Sequence, residues 1–378
     1  MAEHVLVLGG GIIGLSCAFE AKERGFDVTL IEPGALGGQA SGAAAGMLAP
    51  FSENPDRPDP FFQLGHVSLG LYPEWVARLE AISGIDAELH STGSINIVFH
   101  EADLLPLRTR LDWQNRFGAG AELVDRTALA KLEPLLADDV AAGLYCPAES
   151  HVYAPRLIQA LEAACRKTGV RLIAHAGPIT GISCEADSVQ VQAGNTGIAG
   201  DRMVVCAGAW TGMYEQWFGL PMPVHPIRGQ ICSYPLPSGG VRHMVFSNQA
   251  YWVAKGNGTF VCGASEDVAG FDNTVTEKGI GRLTRIGPRV FPFLQDLETT
   301  HRWAGLRPAT RDGWPLLGGL PAHPRVIMAA GHYRNGILLS PVTASVTADL
   351  LEGRKPDLPL EPFAPNRFSF QAAARGSR

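Results

Sequence analysis

A glycine-rich turn between a strand and a helix lies at the start of the chain and limits the folds open to it. Residues 4–8 (HVLVL) predict a buried strand, and residues 12–24 predict a helix. Between them Gly9, Gly11 and Gly14 stand in the spacing GxGxxG. In a dinucleotide-binding turn the first glycine permits the tight bend, the second lets a pyrophosphate approach, and the third packs helix against strand. The start of the chain therefore predicts a βαβ unit whose helix amides face phosphate groups.

A second predicted strand, residues 27–32, ends in an acidic residue in register with this turn. Glu32 follows Gly9 by 23 residues, where a carboxylate can accept hydrogen bonds from ribose hydroxyls. The strand, the helix and the acidic residue have the order and spacing of a dinucleotide-binding unit, but the motif does not distinguish NAD from FAD. A glycine-rich turn without a ligand stays an alternative.

The next stretch favours FAD. Residues 34–50, GALGGQASGAAAGMLAP, contain almost no bulky side chain before Met47. Such a run lets the backbone approach a flat, extended ligand such as an isoalloxazine with its ribityl chain. A mobile loop of small residues is the alternative interpretation.

The carboxyl-terminal part contains a second strand–turn–helix. Residues 325–330 (RVIMAA) predict a buried strand, and GHYRNGILLSP follows. Because proline is tolerated in the first turn of a helix, Pro341 predicts a helix that begins near residue 338. Its free amides, with those around Gly336, would face an electron-rich group such as the N1–C2=O edge of a flavin. A guanidinium buried here is costly without an anion, so Arg334 predicts a negative partner or, alternatively, a structural ion pair or carbonyl cap.

Composition narrows the function classes. With 46% hydrophobic and 18% charged residues, the chain of 378 residues can bury a sizeable core and suits two domains or one large composite domain. Lys and Arg number 31 against 37 Asp and Glu, a net charge of −6, which disfavours nucleic-acid and anionic-membrane partners. No apolar run reaches the roughly 18 residues of a membrane span. The first residues enter a strand without a basic region or cleavage site, so we expect no signal peptide.

The cysteines are scattered and form no CxxC pair. Most lie in apolar runs such as MVVCAG and TFVCGA, which predicts buried, reduced thiols in a cytoplasmic protein and no disulfide framework or metal site. They occupy positions 17, 146, 165, 184, 206, 232 and 262.

Helical and strand-like patterns alternate along the chain. Further helices are predicted at 59–83, 101–116 and 155–168, and strands at 94–99, 143–147, 170–175 and 188–193. Residues 222–265 predict an antiparallel sheet with a hairpin at Gly256–Asn257–Gly258. A helix then begins near Thr274, with Glu277 as its capping-box partner. The pattern predicts an α/β fold interleaved with an α+β second domain.

Four segments together resemble the D-amino-acid oxidase family of FAD enzymes, in particular its glycine-oxidase-like members. They are GGGIIG, SGAAAGML, WAGLRPATRDGWPLLG and GHYRNGILLSP, and the resemblance runs from near residue 3 to about residue 365. It implies a Rossmann-like, GR2-type FAD-binding domain and a substrate domain built on a large antiparallel sheet. The implied FAD-binding domain comprises residues 1–82, 148–221 and 302–365, the substrate domain 83–147 and 222–301, and a tail 366–378.

The same resemblance implies an activity. Members oxidise glycine, sarcosine or small D-amino acids to imines by hydride transfer to non-covalently bound FAD, and dioxygen is reduced to hydrogen peroxide. This often supplies the imine for thiamine thiazole synthesis, and a dimeric or tetrameric homo-oligomer is implied. The alternatives are a D-amino-acid dehydrogenase that passes electrons to a membrane quinone, an amine oxidase for larger or cationic substrates, and a flavoprotein module that binds RNA.

Residue by residue, the resemblance assigns three catalytic groups. Arg307 in GLRPAT would bind the substrate carboxylate, Tyr251 in AYWVAK would assist it, and Arg334 would lie near flavin and substrate. The anion opposite Arg334 would then be the substrate carboxylate and the charge that builds on the flavin. A structural role is the alternative for Arg307, and a core role for Tyr251. The implied FAD contacts are Gly9, Gly11, Ile12, Ile13, Gly14, Glu32, Pro33, Ala40, Ser41, Ala45, Gly46, Met47, Ile179, His332, Tyr333, Arg334, Asn335, Gly336, Ile337 and Leu338.

The chain departs from the family pattern at two positions. Gln249 stands where a histidine often precedes the tyrosine, and Glu266 stands where the glycine-oxidase-like members have an apolar residue. An acidic residue near the amine side would favour cationic or bulkier amines, so the substrate range is the least determined part of this prediction.

Overall fold

Two large sheets organise the computed structural model, which describes residues 2–54 and 57–369. Most of the predicted tail, residues 370–378, lies outside the described residues. The strands are, in chain order, β1 (His4–Leu8), β2 (Asp27–Ile31), β3 (Met47–Leu48), β4 (Ser94–Val98), β5 (Glu122–Asp125), β6 (Ala142–Cys146), β7 (Ser150–His151), β8 (Arg171–Ile173), β9 (Ile179–Cys184), β10 (Val189–Ala193), β11 (Thr196–Gly200), β12 (Arg202–Val205), β13 (Val224–Pro235), β14 (Met244–Phe246), β15 (Tyr251–Ala254), β16 (Thr259–Gly263), β17 (His301–Thr310), β18 (Leu316–Leu320) and β19 (His323–Ala330). The helices are α1 (Ile12–Glu23), α2 (Ala40–Ala43), α3 (Pro50–Glu53), α4 (Pro60–Ser83), α5 (Leu104–Arg116), α6 (Arg126–Leu132), α7 (Ala154–Thr168), α8 (Glu215–Phe218), α9 (Glu277–Val290) and α10 (Gly336–Leu351).

The first sheet has six strands in the order β18-β19-β12-β1-β2-β8. β1 pairs in parallel with both β2 and β12, and β18 alone runs antiparallel to its neighbour. α1 packs against α7 and α10 over this sheet, and their apolar side chains form one continuous core. This arrangement confirms the predicted Rossmann-like α/β unit.

The predicted glycine turn has the expected geometry. Gly9 adopts a φ of +111°, a region that other residues rarely enter, and its amide donates to the carbonyl of Ile31 at 2.8 Å. A Cβ on Gly14 would lie 1.8 Å from the carbonyl oxygen of Gly9. A side chain at Gly14 would therefore push α1 away from the turn, and one at Gly9 would meet the carbonyl oxygen of Cys206 at 2.3 Å.

The second sheet has eight strands in the order β17-β13-β16-β15-β14-β4-β6-β5. It is antiparallel as predicted, except that β14 and β4 run parallel. The predicted domain boundary at residue 302 differs from the strand pairing here. β17 pairs with β13 from Thr310 to His301, so its hydrogen bonds place it in the second sheet.

Two predicted helix starts are wrong. α9 begins at Glu277, because the hydroxyl of Thr276, not of Thr274, caps it by accepting from the amide of Gly279 at 3.1 Å. Glu277 is then the first helical residue and cannot be the capping-box partner.

The predicted hairpin at Gly256–Asn257–Gly258 is confirmed between β15 and β16.

The last helix starts earlier than its proline predicts. α10 begins at Gly336, so Pro341 lies beyond the first turn and leaves the carbonyl of Ile337 without a helical amide donor. The hydroxyl of Tyr72 on α4 donates to that carbonyl at 2.5 Å, and Ser340 donates to it at 2.9 Å. Tertiary hydrogen bonds thus make an interior proline tolerable.

The seven cysteines are free, and all but Cys184 are buried, as predicted. Within residues 2–54 and 57–369, no helix is both long and apolar enough to cross a membrane.

Candidate active site

A cavity of about 660 Å³ lies where the two sheets meet. It begins at the β1–α1 turn, passes along the small-residue run after β2, and ends beneath β13, β15 and β17 of the second sheet. This volume is in the range of cofactor and substrate sites.

Most of the sequence-predicted residues line this cavity. They are Gly9, Gly11, Ile12, Ile13, Glu32, Pro33, Ala40, Ser41, Ala45, Gly46, Met47, Ile179, Tyr251, Arg307, His332, Tyr333, Arg334, Gly336 and Ile337. Gly14, Asn335 and Leu338 are outside the lining. Gly14 packs against the Gly9 carbonyl, and the other two border a smaller cavity beside α3 and α4.

Side-chain to backbone hydrogen bonds hold the end of the cavity at the β1–α1 turn. The carboxylate of Glu32 accepts from the amides of Gly10 at 2.7 Å and Gly34 at 2.8 Å. The hydroxyl of Ser41 accepts from the amide of Ile12 at 2.9 Å, so it supports the start of α1. These bonds set the glycine turn against the small-residue run.

The small-residue run leaves one wall of the cavity without bulk. Between residues 34 and 46 the lining contains only glycine, alanine, Gln39 and Ser41. Trp303 on β17 holds this wall in place, because its indole nitrogen donates to the carbonyl of Ala43 at 3.0 Å. A wall built of such small residues, next to a dinucleotide-type turn, fits FAD.

Arg307 lies at the opposite end of the cavity, on β17. Its guanidinium occupies the space over Gly229 of the neighbouring strand β13, where a Cβ would come within 2.3 Å of Nη1. Nη1 donates to the carbonyl of Ser265 at 3.0 Å. In the described part of the chain no carboxylate forms an ion pair with Arg307, so its remaining donors are available to a ligand.

Tyr251 on β15 approaches the same end. A Cβ on Gly263 would come within 2.3 Å of the Tyr251 hydroxyl oxygen, so glycine at this position makes room for the ring. Burial raises the pKa of Tyr251 to about 12, although Arg307 opposes the rise. The hydroxyl therefore stays protonated at neutral pH and can donate a hydrogen bond.

The predicted anion opposite Arg334 comes from the chain itself. Its Nη2 lies 3.6 Å from a carboxylate oxygen of Glu53, and its Nη1 donates to Glu266 at 3.2 Å. The attraction of Glu53 is the largest cause that raises the pKa of Arg334. Two glutamates thus flank the guanidinium, which corresponds to the structural ion pair that the sequence left open as the alternative for Arg334.

Glu53, beside the two arginines, is a charged cavity residue that sequence reasoning missed. It ends the short helix α3, and its side chain is only 10% exposed. Burial raises the pKa of this carboxyl, while Arg334 and Arg307 oppose the rise. A lone glutamate after Pro-Phe-Ser carries no motif, so only its proximity to the two arginines reveals it.

The two departures from the family pattern differ in how near they lie to the cavity. Glu266 accepts from the Tyr333 hydroxyl at 3.0 Å and from Arg334, and Gln249 is exposed in the turn before β15. Neither side chain lines the cavity. Through Tyr333 and Arg334, Glu266 borders the cavity, so its influence on the choice of amine stays a prediction.

His332 lines the cavity, and one of its ring nitrogens contacts a side chain of α10. Its Nε2 lies 3.0 Å from the hydroxyl oxygen of Thr343, and burial lowers its pKa to about 3. The imidazole is neutral and supports the turn that begins α10.

Comparison with known proteins agrees with this geometry. Residues 4–350 match the family described as FAD dependent oxidoreductase. The chain is 32% identical to the glycine oxidase of Pseudomonas putida over 378 residues, which cover 97% of this chain and 99% of the relative. It is also 32% identical to the bifunctional protein ThiO/ThiG of Trichormus variabilis, covering 99% of this chain and 56% of that protein.

The fold agrees as well. The crystal structure of the glycine oxidase from Geobacillus kaustophilus superposes with a TM-score of 0.92 at 31% identity, covering 97% of this chain and 99% of the other. Family match, relatives and structure each span nearly the whole chain. The chain therefore belongs to the FAD-dependent oxidoreductase family that includes the glycine oxidases.

Proposed function

We propose that this enzyme oxidises glycine, together with sarcosine or small D-amino acids, to the corresponding imine. The imine hydrolyses to a 2-oxo acid and ammonia, or to a 2-oxo acid and methylamine when sarcosine is the substrate, and dioxygen is reduced to hydrogen peroxide. The observation that carries the proposal is Arg307, a guanidinium in the cavity wall that has donors free of any described carboxylate. Glycine oxidases of similar sequence and structure support the choice of substrate.

Recognition of so small a substrate depends on its charges. A zwitterionic amino acid offers little apolar area, and a guanidinium binds a carboxylate through paired, charge-assisted hydrogen bonds. Arg307 would bind the carboxylate, and the protonated hydroxyl of Tyr251 would donate to it. These contacts fix the direction in which the α-carbon points, and positioning is a large part of what such a protein contributes.

The residues that would hold FAD are those of the cavity wall between the glycine turn and α10. When bound, FAD supplies the chemistry: it takes a hydride from the substrate α-carbon and passes the electrons to dioxygen. The β1–α1 turn would bind the pyrophosphate, Glu32 the ribose, and the 332–337 turn the flavin end. No covalent attachment is proposed.

Among the described cavity residues, neither His332 nor Tyr251 is suited to accept the α-proton. His332 is neutral and bonded to Thr343, and Tyr251 stays protonated. We infer that the amine binds in its neutral form, so that hydride transfer requires no proton acceptor on the protein. Larger or cationic amines are less well supported, because Glu266 is hydrogen-bonded to Tyr333 and Arg334 and is itself absent from the cavity lining.

The setting of the enzyme is also proposed. The match to bifunctional ThiO/ThiG proteins supports a role in supplying the imine for thiamine thiazole synthesis. Buried, free cysteines support a cytoplasmic location, and the resemblance supports a homo-dimer or tetramer, which light scattering would test.

An anaerobic titration tests the proposal. The FAD-loaded protein is mixed with glycine, sarcosine and D-alanine in turn, and the flavin absorbance near about 450 nm is followed. We expect bleaching with glycine and recovery when air is admitted, with release of hydrogen peroxide. Protein that takes up no FAD, or flavin that keeps its colour with every amine, would contradict the proposal.

A further inference from the structure

Arg334 lies between two carboxylates that differ in their surroundings. Glu53 is 10% exposed and lines the cavity, whereas Glu266 is 47% exposed and is absent from the lining. Both form ion pairs with the same guanidinium. The pair with Glu53 is therefore the one that a ligand in the cavity meets.

The position of Glu53 is built into the fold. The residue before it, Ser52, donates from its amide and its hydroxyl to the buried carboxylate of Glu149, at 2.8 and 2.6 Å. The amide nitrogen of Gln114 donates to the carbonyl of Phe51 at 2.9 Å. Buried polar contacts thus hold α3 so that its last residue reaches the cavity.

The charge balance explains what this carboxylate does there. Burying a carboxylate is unfavourable unless a cation pairs with it, and Arg334 supplies that cation. Conversely, the cavity contains two guanidiniums, and the Glu53 carboxylate cancels the charge of one of them. Among the described residues Arg307 is then the cavity arginine that has no anionic partner.

We propose that Glu53 is the residue that restricts the site to amines with a single carboxylate. A ligand carboxylate binds Arg307, while a second carboxylate would meet Glu53 next to Arg334 and be repelled. Specificity is a difference between two affinities, and an opposing charge is an effective way to lower the unwanted one. This inference rests on the proposed role of Arg307 in carboxylate binding.

The proposal predicts what removal of the charge does. In Glu53→Gln the side chain keeps its shape, but Arg334 loses its buried anionic partner and keeps only the more exposed Glu266. The second carboxylate of a dicarboxylate then gains a charge-assisted partner. Glu266 remains on the outer side, where solvent screens its charge.

Binding of two simple acids tests this without turnover. Acetate and malonate differ by one carboxylate, and their affinities for FAD-loaded protein are measured by calorimetry and by the change in the flavin spectrum. In Glu53→Gln the affinity ratio of malonate to acetate rises about tenfold or more. In the matched control Glu266→Gln, which removes the same charge from the same arginine, the ratio changes by less than about threefold. In the double variant Glu53→Gln with Arg334→Gln the ratio returns to the wild-type value.

The outcomes separate cleanly. A ratio that stays at the wild-type value in Glu53→Gln, or that rises equally in Glu266→Gln, overturns the proposal. Should Glu53→Gln fail to fold, Glu53→Ala must show the same rise. If the ratio rises but glycine never bleaches the flavin, the proposed reaction fails and the role of Glu53 stands. If glycine is oxidised and the ratio does not move, the reverse holds.

Discussion

The hydroxyl of Tyr72 on α4 donates to the carbonyl of Ile337 on α10 at 2.5 Å. Pro341 leaves that carbonyl without its usual helical donor, and Ile337 lines the cavity where the flavin end of FAD is proposed to bind. One side chain thus couples helix packing to the cofactor site.

Replacement of this tyrosine tests the coupling. In Tyr72→Phe we expect the free energy of unfolding to fall by about 1–2 kcal/mol, because a buried carbonyl loses its main donor and retains only Ser340. Denaturation of the FAD-loaded variant gives the difference. If Tyr72→Phe leaves the free energy of unfolding unchanged, Ser340 alone is enough to satisfy the carbonyl of Ile337.

Removal of Arg307 should separate substrate binding from cofactor binding. In Arg307→Ala we expect KM for glycine to rise about ten- to a hundredfold, since a charge-assisted carboxylate contact is lost, while the protein still binds FAD. Steady-state kinetics and the flavin spectrum measure the two effects. Arg307→Lys serves as the control, because it keeps the charge without the fork, and its loss should be intermediate. Glycine kinetics like those of the wild type in Arg307→Ala would exclude Arg307 from the site.

A methyl group beside Tyr251 should have a similar but indirect effect. In Gly263→Ala the new Cβ would lie 2.3 Å from the Tyr251 hydroxyl oxygen, so the ring must leave its present position in the cavity. We expect a several-fold rise in KM with FAD binding retained. Gly281→Ala is the matched control, because no atom lies within 4 Å of its new Cβ and alanine favours the helix. Equal kinetics in the two variants would contradict the steric role of Gly263.

Lys255 should make stability depend on pH. Its ammonium is buried and donates to the carbonyl of Val152 at 2.8 Å, beside His151, and burial lowers its pKa to about 7. Glu88 opposes this shift. Between pH about 7 and about 10.4 the unfolded chain binds the proton that the folded chain has released, so this residue makes stability rise with pH in that window.

The variant Lys255→Met tests that window. The difference between the wild-type and variant free energies of unfolding should rise by a few kcal/mol between neutral and alkaline pH. Other alkaline titrations cancel in the subtraction. A difference that is flat across the window would mean that the ammonium of Lys255 titrates normally in the folded protein.

Local patterns in the sequence predicted the elements that depend on local physics. The glycine turn, α1 and the hairpin at Gly256–Asn257–Gly258 follow from backbone conformations that few residues adopt. The start of α10 was misplaced because Tyr72, more than 250 residues away, satisfies the carbonyl that Pro341 leaves open. Helix propensities describe only neighbouring residues, so they cannot predict a hydrogen-bond donor from a distant part of the chain.

In the candidate site, too, some residues could be predicted from the sequence and others only from the structure. Family motifs pointed to Arg307, Tyr251 and Arg334, which the structure brings to one cavity. Glu53 belongs to no motif, and its meaning comes from a three-dimensional charge balance with Arg334. Glu266 shows the converse, since a visible departure in sequence lies outside the cavity lining.

The pairing of β1 with both β2 and β12 has a consequence for synthesis of the protein. One edge of β1 is completed by β12, which ends at Val205, almost 200 residues later. During translation the amino-terminal strands therefore leave the ribosome with an open edge, long before their partner exists. An unpaired edge of this kind recruits other chains, so we expect nascent protein to need chaperone protection and amino-terminal fragments to aggregate.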